Sequence, residues 1–240
     1  KAGFIVDVIV PDAFPKFLNW MNGSDQIIVF ESDQDQARSK LLEADLIFAL
    51  DYNRLDRVGL LGELISQSDA IKVMIDHHID PDQGFDEILS DTSASSTAQL
   101  IFQFVDEMGL LGHLDAIDSA CLYAGIMTDT GSFRFSSTSA ETHRVVADLL
   151  DRGLRPEMVH QAIYDQNSFT KLKLMGHVLT EKMDFLPNIS LAVLSLSLSE
   201  KNRFHYEKGD TEGLVNYGLS IIGAKVSVFM SEESGYVKFS

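Results

Sequence analysis

The sequence predicts an α/β protein, in which a doubly wound and mostly parallel sheet is followed by helices and then by a smaller α+β domain. Three observations carry that prediction. Short, continuously apolar and β-branched runs alternate with helix-length segments early in the chain, a wholly helical stretch follows, and near the C-terminus apolar and polar residues alternate. Runs that are apolar throughout belong to parallel strands covered by helices on both faces, whereas alternation belongs to strands with one face in water.

Taken in order, Phe4–Val10 is the first apolar run and is stopped by Pro11-Asp12. Gln26–Phe30, Ala44–Leu50 and Ala70–Ile75 are the next three strands. Gln36–Glu43 and Val58–Ser66 have the length and composition of connecting helices, which makes right-handed βαβ units. Thr97–Glu107 and Leu114–Met127 carry apolar residues at helical spacing. Thr138-Ser139-Ala140-Glu141 reads as a capping box opening a helix that runs to Leu150, with Gly153 as its stop. Arg155–Tyr164 predicts a shorter helix, and Ser190–Leu198, Gly223–Met230 and Gly235–Phe239 predict antiparallel strands. The organisation expected is a first domain over 1–165, a linker over 166–182 and a second domain over 183–240.

Composition narrows the function classes. Of 240 residues 45% are apolar and 23% charged, and no stretch reaches the roughly 18 consecutive apolar residues of a membrane span, so no membrane partner is expected. Lys1-Ala2-Gly3 runs directly into a strand-like segment rather than a signal peptide. The single cysteine, Cys121, excludes a disulfide framework, suits a reducing, cytoplasmic compartment and reads as a buried inert thiol. Nineteen Lys and Arg against 36 Asp and Glu give a net charge of −17. Long duplex nucleic acid is therefore not an expected partner, because binding it needs a basic stripe. Most of the carboxylates are a solvated surface, but some sit at the ends of apolar runs, where they could hold divalent cations.

Ligands of doubly wound sheets bind beyond the C-terminal ends of the strands. There the third strand ends in Leu50-Asp51, and the fourth in Asp76-His77-His78. The small-residue helix 120–127 runs into Thr128-Asp129-Thr130-Gly131-Ser132-Phe133-Arg134-Phe135. A lone Asp in such a place is ordinarily a cap, and a lone His is ordinarily structural. Two adjacent imidazoles flanked by acids directly after a buried strand instead read as metal ligands whose ring orientation is set by the carboxylates. His113, His143, His160, His177 and His205 stand alone and read as structural or exposed, and Phe133 and Phe135 as core.

These residues resemble the DHH family of phosphoesterases, which is named for the tripeptide at 76–78. Leu50-Asp51 with Arg57 is similar to the family's second motif, Asp76-His77-His78 to its third and Thr128-Asp129-Thr130-Gly131 to its fourth. Asp210-Thr211-Glu212-Gly213-Leu214-Val215-Asn216 resembles a segment of the DHH-associated C-terminal domain in the branch that holds oligoribonucleases and phosphoadenosine-phosphate phosphatases. The family's first motif, a His-x-x-Pro-Asp-x-Asp signature, has no counterpart here, nor has its C-terminal Gly-Gly-Gly-His run; truncation at both ends is the expectation this raises.

The resemblance implies a hydrolase with two Mn²⁺ ions that activate a water for in-line attack on a phosphate. Asp51 would bridge both ions, His77 and Asp129 would hold one, and Asp76 would orient the imidazoles. His78 would face the scissile phosphate. Arg57, Arg134 and the segment Asp210, Thr211, Glu212 and Gly213 would bind substrate, the last across a cleft between the domains. The substrate implied is a short oligoribonucleotide, hydrolysed to mononucleotides, or a phosphorylated adenosine nucleotide; a homodimer is compatible with it. The alternatives are an inorganic pyro- or polyphosphatase on the same scaffold, or a catalytically inactive nucleotide-binding module.

Overall fold

Parallel pairing builds the first part of the protein, and the register of that pairing decides which polar residues meet. The computed structural model describes residues 3–240; Lys1 and Ala2, on which the absence of a signal peptide was read, lie outside the described residues. Strand β1 (Ile9–Val10) pairs in parallel with β2 (Ile28–Val29). Helix α1 (Gln34–Glu43), capped by the Asp33 side chain on the Gln36 N–H, leads to β3 (Leu46–Leu50). Helix α2 (Leu60–Gln67) leads to β4 (Ile71–Asp76), and β5 (Glu87–Ser90) completes a parallel sheet in the order β3-β4-β5. The register Leu50↔Ile75 places the two following residues, Asp51 just past β3 and Asp76 at the end of β4, side by side at the same edge.

Helices cover the sheet from two sides. Residues of α1 and α2 (Ala37, Leu41, Leu61, Ile65) bury Ile47 of β3, while Leu100 of α3 (Thr97–Glu107) packs with Ile75 and Val73 of β4. Beyond α3, α4 (Ala116–Asp129), α5 (Ala140–Asp151) and α6 (Pro156–Tyr164) form a helical layer whose centre includes Ile126, Met127 and Leu149, all fully buried. Truncating any of these three to alanine costs about 2–5 kcal/mol.

The α/β architecture is the one the sequence predicts, but several elements differ in detail. Of the run Phe4–Val10 only Ile9 and Val10 are strand, and Phe4, Ile5 and Val6 are at least 75% exposed. An apolar run becomes a strand only where a neighbour supplies the ladder, and β2 is only two residues long. Strand β3 is fully buried on one face alone: Leu46, Phe48 and Leu50 are 42–46% exposed on the other, where α3 packs chiefly on Val73 and Ile75 of β4 and touches β3 through the Phe104–Phe48 ring contact. The capping box of α5 is Ser139 with Thr142, one residue later than the Thr138/Glu141 reading, since the Thr142 hydroxyl accepts the Ser139 N–H at 3.2 Å.

Residues Lys1–Ile163 form one unit and Tyr164–Ser240 a second. The stretch read as a linker carries α7 (Phe169–Glu181), whose Leu174 and Val178, one turn apart, are fully buried in the second unit's core. The strands there are β6 (Met183–Leu186), β7 (Leu191–Leu196), β8 (Val226–Glu233) and β9 (Tyr236–Phe239). They are not uniformly antiparallel as expected: β7 and β8 are parallel. The 29 residues from 197 to 225 carry α8 (Leu198–Arg203) and α9 (Leu214–Leu219), the helical crossover that a parallel pair requires. Among the described residues no helix is long and apolar enough to cross a membrane.

Candidate metal centre

Backbone geometry at the strand ends turns the carboxylates inward. Asp51 has φ of +67°, a left-handed conformation that costs about 1–3 kcal/mol when held by its surroundings and that Asp tolerates better than bulkier residues. Its N–H is bonded to the Ile75 carbonyl at 3.2 Å, which ties the turn to β4. Asp76 closes β4 and is fully buried. Its Oδ1 accepts the His77 N–H (2.8 Å), the His78 N–H (3.3 Å) and His78 Nδ1 (2.7 Å). Its Oδ2 is buried with no hydrogen-bond donor, a costly state for a carboxylate.

Asp129 arrives from the other direction, as the last residue of α4. The turn behind it is tightly determined: Gly131, Ser132 and Phe133 have φ of +55°, +58° and +66° in succession. Such a conformation is strained for Ser and more so for Phe. Thr130 holds it, its Oγ1 accepting the Phe133 N–H at 3.0 Å and its carbonyl accepting the Arg134 and Phe135 N–H groups. The Phe133 ring packs against Tyr123 and His143, and the Phe135 ring sits where a Cβ on Gly131 would be, at 2.5 Å.

The two arms meet at His77. Its Nε2 lies 3.8 Å from Asp51 Oδ1 and 3.7 Å from Asp129 Oδ2. Those separations are too long for hydrogen bonds. They suit oxygen and nitrogen atoms that each lie about 2.0–2.2 Å from one shared divalent cation. Asp51, Asp76, His77 and His78 each offer an atom within 4.8 Å of the others. Gathering carboxylates this way has an electrostatic consequence: burial first, and then the charge of Asp51, push Asp129 up to about 6. The donor set, the buried unpartnered oxygen of Asp76 and the raised Asp129 all fit a bound divalent cation. A potential metal-binding cluster is therefore present.

The predicted substrate residues have contacts of their own. Arg57 is exposed, its Nη1 donating to Asn53 Oδ1 at 3.2 Å, and the exposed Arg134 donates Nε–H to the Gly131 carbonyl at 2.8 Å. Asp210, Thr211, Glu212 and Gly213 belong to the second unit. Asp210 accepts the Glu207 N–H, Gly213 opens α9 with φ of +74°, and Thr211, Glu212 and Gly213 line a shallow cavity with Tyr206, Phe229 and Lys238. Of the lone histidines, His160 is bonded to the Tyr123 hydroxyl and His177 to Glu200. Burial raises the half-buried Cys121 thiol above its ordinary range, away from thiolate reactivity.

Two residues of the site escape the sequence reading. Buried Asn53 donates Nδ2 to the Ile79 and Asp80 carbonyls, tying the turn after β3 to the one that carries His77 and His78. Buried Thr97 donates its hydroxyl to Asp51 Oδ1 at 2.8 Å, across 46 positions of sequence. A tripeptide Ser95-Ser96-Thr97 before an apolar helix announces only a cap.

Parallel strands deliver Asp51 and Asp76-His77-His78 to one edge and a helix end brings Asp129 beside them, an arrangement of donors that could hold a divalent cation. This chain belongs to the DHH family of phosphoesterases. An exopolyphosphatase-related protein from Bacteroides fragilis, known from its crystal structure, superposes with a TM-score of 0.93 at 36% identity, over 98% of this chain and 69% of that one. A bifunctional oligoribonuclease and PAP phosphatase of Thermus thermophilus is 31% identical over 170 residues, 70% of this chain and 49% of its own length. Its Bacillus subtilis counterpart is 25% identical over 210 residues, 85% of this chain and 64% of that protein. The chain thus spans about half the length of the first of these curated relatives and under two thirds of the second. No family model matches the chain.

Proposed function

We propose that this protein is a Mn²⁺-dependent phosphoesterase that hydrolyses short oligoribonucleotides to mononucleotides, removes phosphate from phosphoadenosine phosphate, or does both. One observation carries the reading: the His77 imidazole stands between the carboxylates of Asp51 and Asp129, at 3.8 and 3.7 Å. Asp51, His77 and Asp129 would hold the metal, and the family resemblance calls for two ions. When bound, the metal supplies Lewis acidity that activates water and neutralises charge on the phosphate.

The chain's own residues do the remaining work. Asp76 accepts Nδ1–H of His78 at 2.7 Å, which fixes that ring and leaves Nε2 available. A proton on that Nε2 is donated to the phosphate or to the departing oxygen, and the buried Asp76 charge supports the imidazolium that carries it. Asn53, by joining the two turns, keeps the Arg57 guanidinium near the His77-His78 segment for contact with a phosphate. The segment Asp210–Gly213 is proposed to bind the substrate's far end. The chain's net charge of −17 suits a small substrate over a long strand.

The likeness to an exopolyphosphatase-related protein favours a second reading, an inorganic polyphosphatase or pyrophosphatase. The test is to assay the Mn²⁺-loaded chain on a di-ribonucleotide, phosphoadenosine phosphate, pyrophosphate and short polyphosphate side by side. Turnover of either nucleotide supports the first reading and turnover confined to the inorganic substrates supports the second. Nucleotide binding without turnover of any of them would make the chain a binding module.

A further inference from the structure

Asp51 is the most exposed member of the cluster, with 57% of its side chain accessible, so packing does little to orient its carboxylate. Its backbone conformation directs the side chain but does not stop it rotating. The group that does is Thr97 Oγ1, 2.8 Å from Asp51 Oδ1, the same oxygen that faces His77 Nε2.

We propose that Thr97 is a positioning residue of the metal centre: its buried hydroxyl holds Asp51 in the orientation in which that carboxylate takes a divalent cation. A hydroxyl has one proton to give. Its other neighbour, Asp76 Oδ1, lies at 3.4 Å and already accepts from two backbone N–H groups and from His78 Nδ1. The proton therefore goes to Asp51. There it occupies one lone pair of Oδ1 and leaves another for the cation.

Thr97 is itself fixed in place. It is 4% exposed and sits in the first turn of α3, where Ser96 Oγ accepts the Gln99 N–H at 3.1 Å. Gln99 Oε1 in turn accepts Ser95 Oγ (2.8 Å) and Thr142 Oγ1 (2.9 Å), which pins the start of α3 to the start of α5. The branch at Cβ restricts χ1, so the hydroxyl has little freedom once the helix is set. A satisfied network of buried polar groups like this one is a rigid reference against which an exposed ligand can be aimed.

This inference rests on the metal-dependent reading above, and its test reads metal uptake rather than turnover. Mn²⁺ binding to the full chain, stripped of metal, is followed by the electron paramagnetic resonance signal of free Mn²⁺. Thr97→Val keeps the shape and removes the hydroxyl; its Kd should rise about 10–100-fold, whereas Thr97→Ser should stay within about threefold of wild type. In an Asp51→Asn background, adding Thr97→Val should change the Kd less than about twofold, because the partner through which Thr97 acts is already altered. Should Thr97→Val fail to fold, Thr97→Ala carries the same expectation. Equal isotherms for wild type and Thr97→Val, or a full additional loss in the Asp51→Asn background, overturn the role of Thr97 alone. A wild-type chain that takes up no Mn²⁺ overturns the metal-dependent reading, and this inference with it.

Discussion

Each unit gathers carboxylates around histidine, and the two clusters do opposite things with that charge. In the first unit Asp51, Asp76 and Asp129 crowd two imidazoles with no Lys or Arg in the cluster, and Asp129 is pushed up to about 6 by burial and by Asp51. In the second unit Glu200 accepts His177 Nε2 at 2.9 Å and Lys182 Nζ at 3.2 Å, and Lys201 pairs with Glu233. Burial works against the charge of Glu200, but hydrogen bonds from Ser197, His177 and Lys182 outweigh it and hold the carboxyl down at about 2. One cluster holds an unresolved excess of negative charge on strained backbone; the other is neutralised within itself. The first is an arrangement that a cation could complete, and the second one that holds helix α8 to its sheet. Residue identity therefore says little about role, and the balance of charge around it says much.

Breaking the first cluster should have the largest effect. Asp129→Asn removes a proposed ligand and a source of repulsion together. Mn²⁺-stimulated hydrolysis should fall by several orders of magnitude, while the melting temperature measured with a chelator present should hold or rise. Normal turnover in that variant would refute a ligand role for Asp129, and a large loss of metal-free stability would refute the account of stored repulsion.

The adjacent histidines divide the first cluster more finely. His77→Ala should weaken Mn²⁺ binding more than Thr97→Val does, because it removes a proposed ligand and not its outer partner, and excess Mn²⁺ should recover part of the activity. His78→Ala should leave metal uptake near that of wild type and lower turnover about 10²–10⁴-fold, the range for a lost proton donor. Identical titrations and identical rescue would show that the two rings share one role.

How much of this contrast was legible without coordinates follows from the range of each interaction. The tripeptide Asp76-His77-His78 after an apolar run could be read because strand, turn and ligands are contiguous. Asp51 and Asp129, each of which by itself reads as an ordinary cap, are singled out by the resemblance to the DHH family and not by a local pattern. Thr97 could not be read, since its meaning lies in one hydroxyl bonded to a residue 46 positions away. The parallel pairing of β7 with β8 was equally hidden, because alternation reports a wet face and not strand direction. Strand β5 was missed because Glu87-Ile88-Leu89-Ser90 is too short to show a period.

Metal itself should separate the two clusters. At a Mn²⁺ concentration about 100 times its Kd, binding stabilises the native state by about 2.7 kcal/mol. Amide hydrogen exchange with and without Mn²⁺ should therefore show new protection at 50–53, 75–80 and 95–99, around Asp51, Asp76 and Thr97. The segment 197–203, which carries Glu200 and Lys201, should exchange at an unchanged rate. Equal slowing in both places would mean that the second cluster also takes up the ion.

The smallest effect is the pH response of the second cluster, and its sign follows from Glu200. A carboxyl held at about 2 in the folded protein, against 4.5 ordinarily, favours folding wherever it stays ionised. That contribution is complete above the unfolded value, near pH 4.5, and is lost as the pH falls toward 2. It is on the order of 1 kcal/mol once solvent screening of a surface network is allowed for. Glu200→Gln removes the charge and with it this source of acid sensitivity. The variant should melt a few degrees below wild type at pH 7, and the gap should narrow as the pH is lowered from 5 to 3. Parallel melting curves across that range would mean that His177 and Lys182 contribute no net stability through Glu200, and that the second cluster is neutralised on paper only.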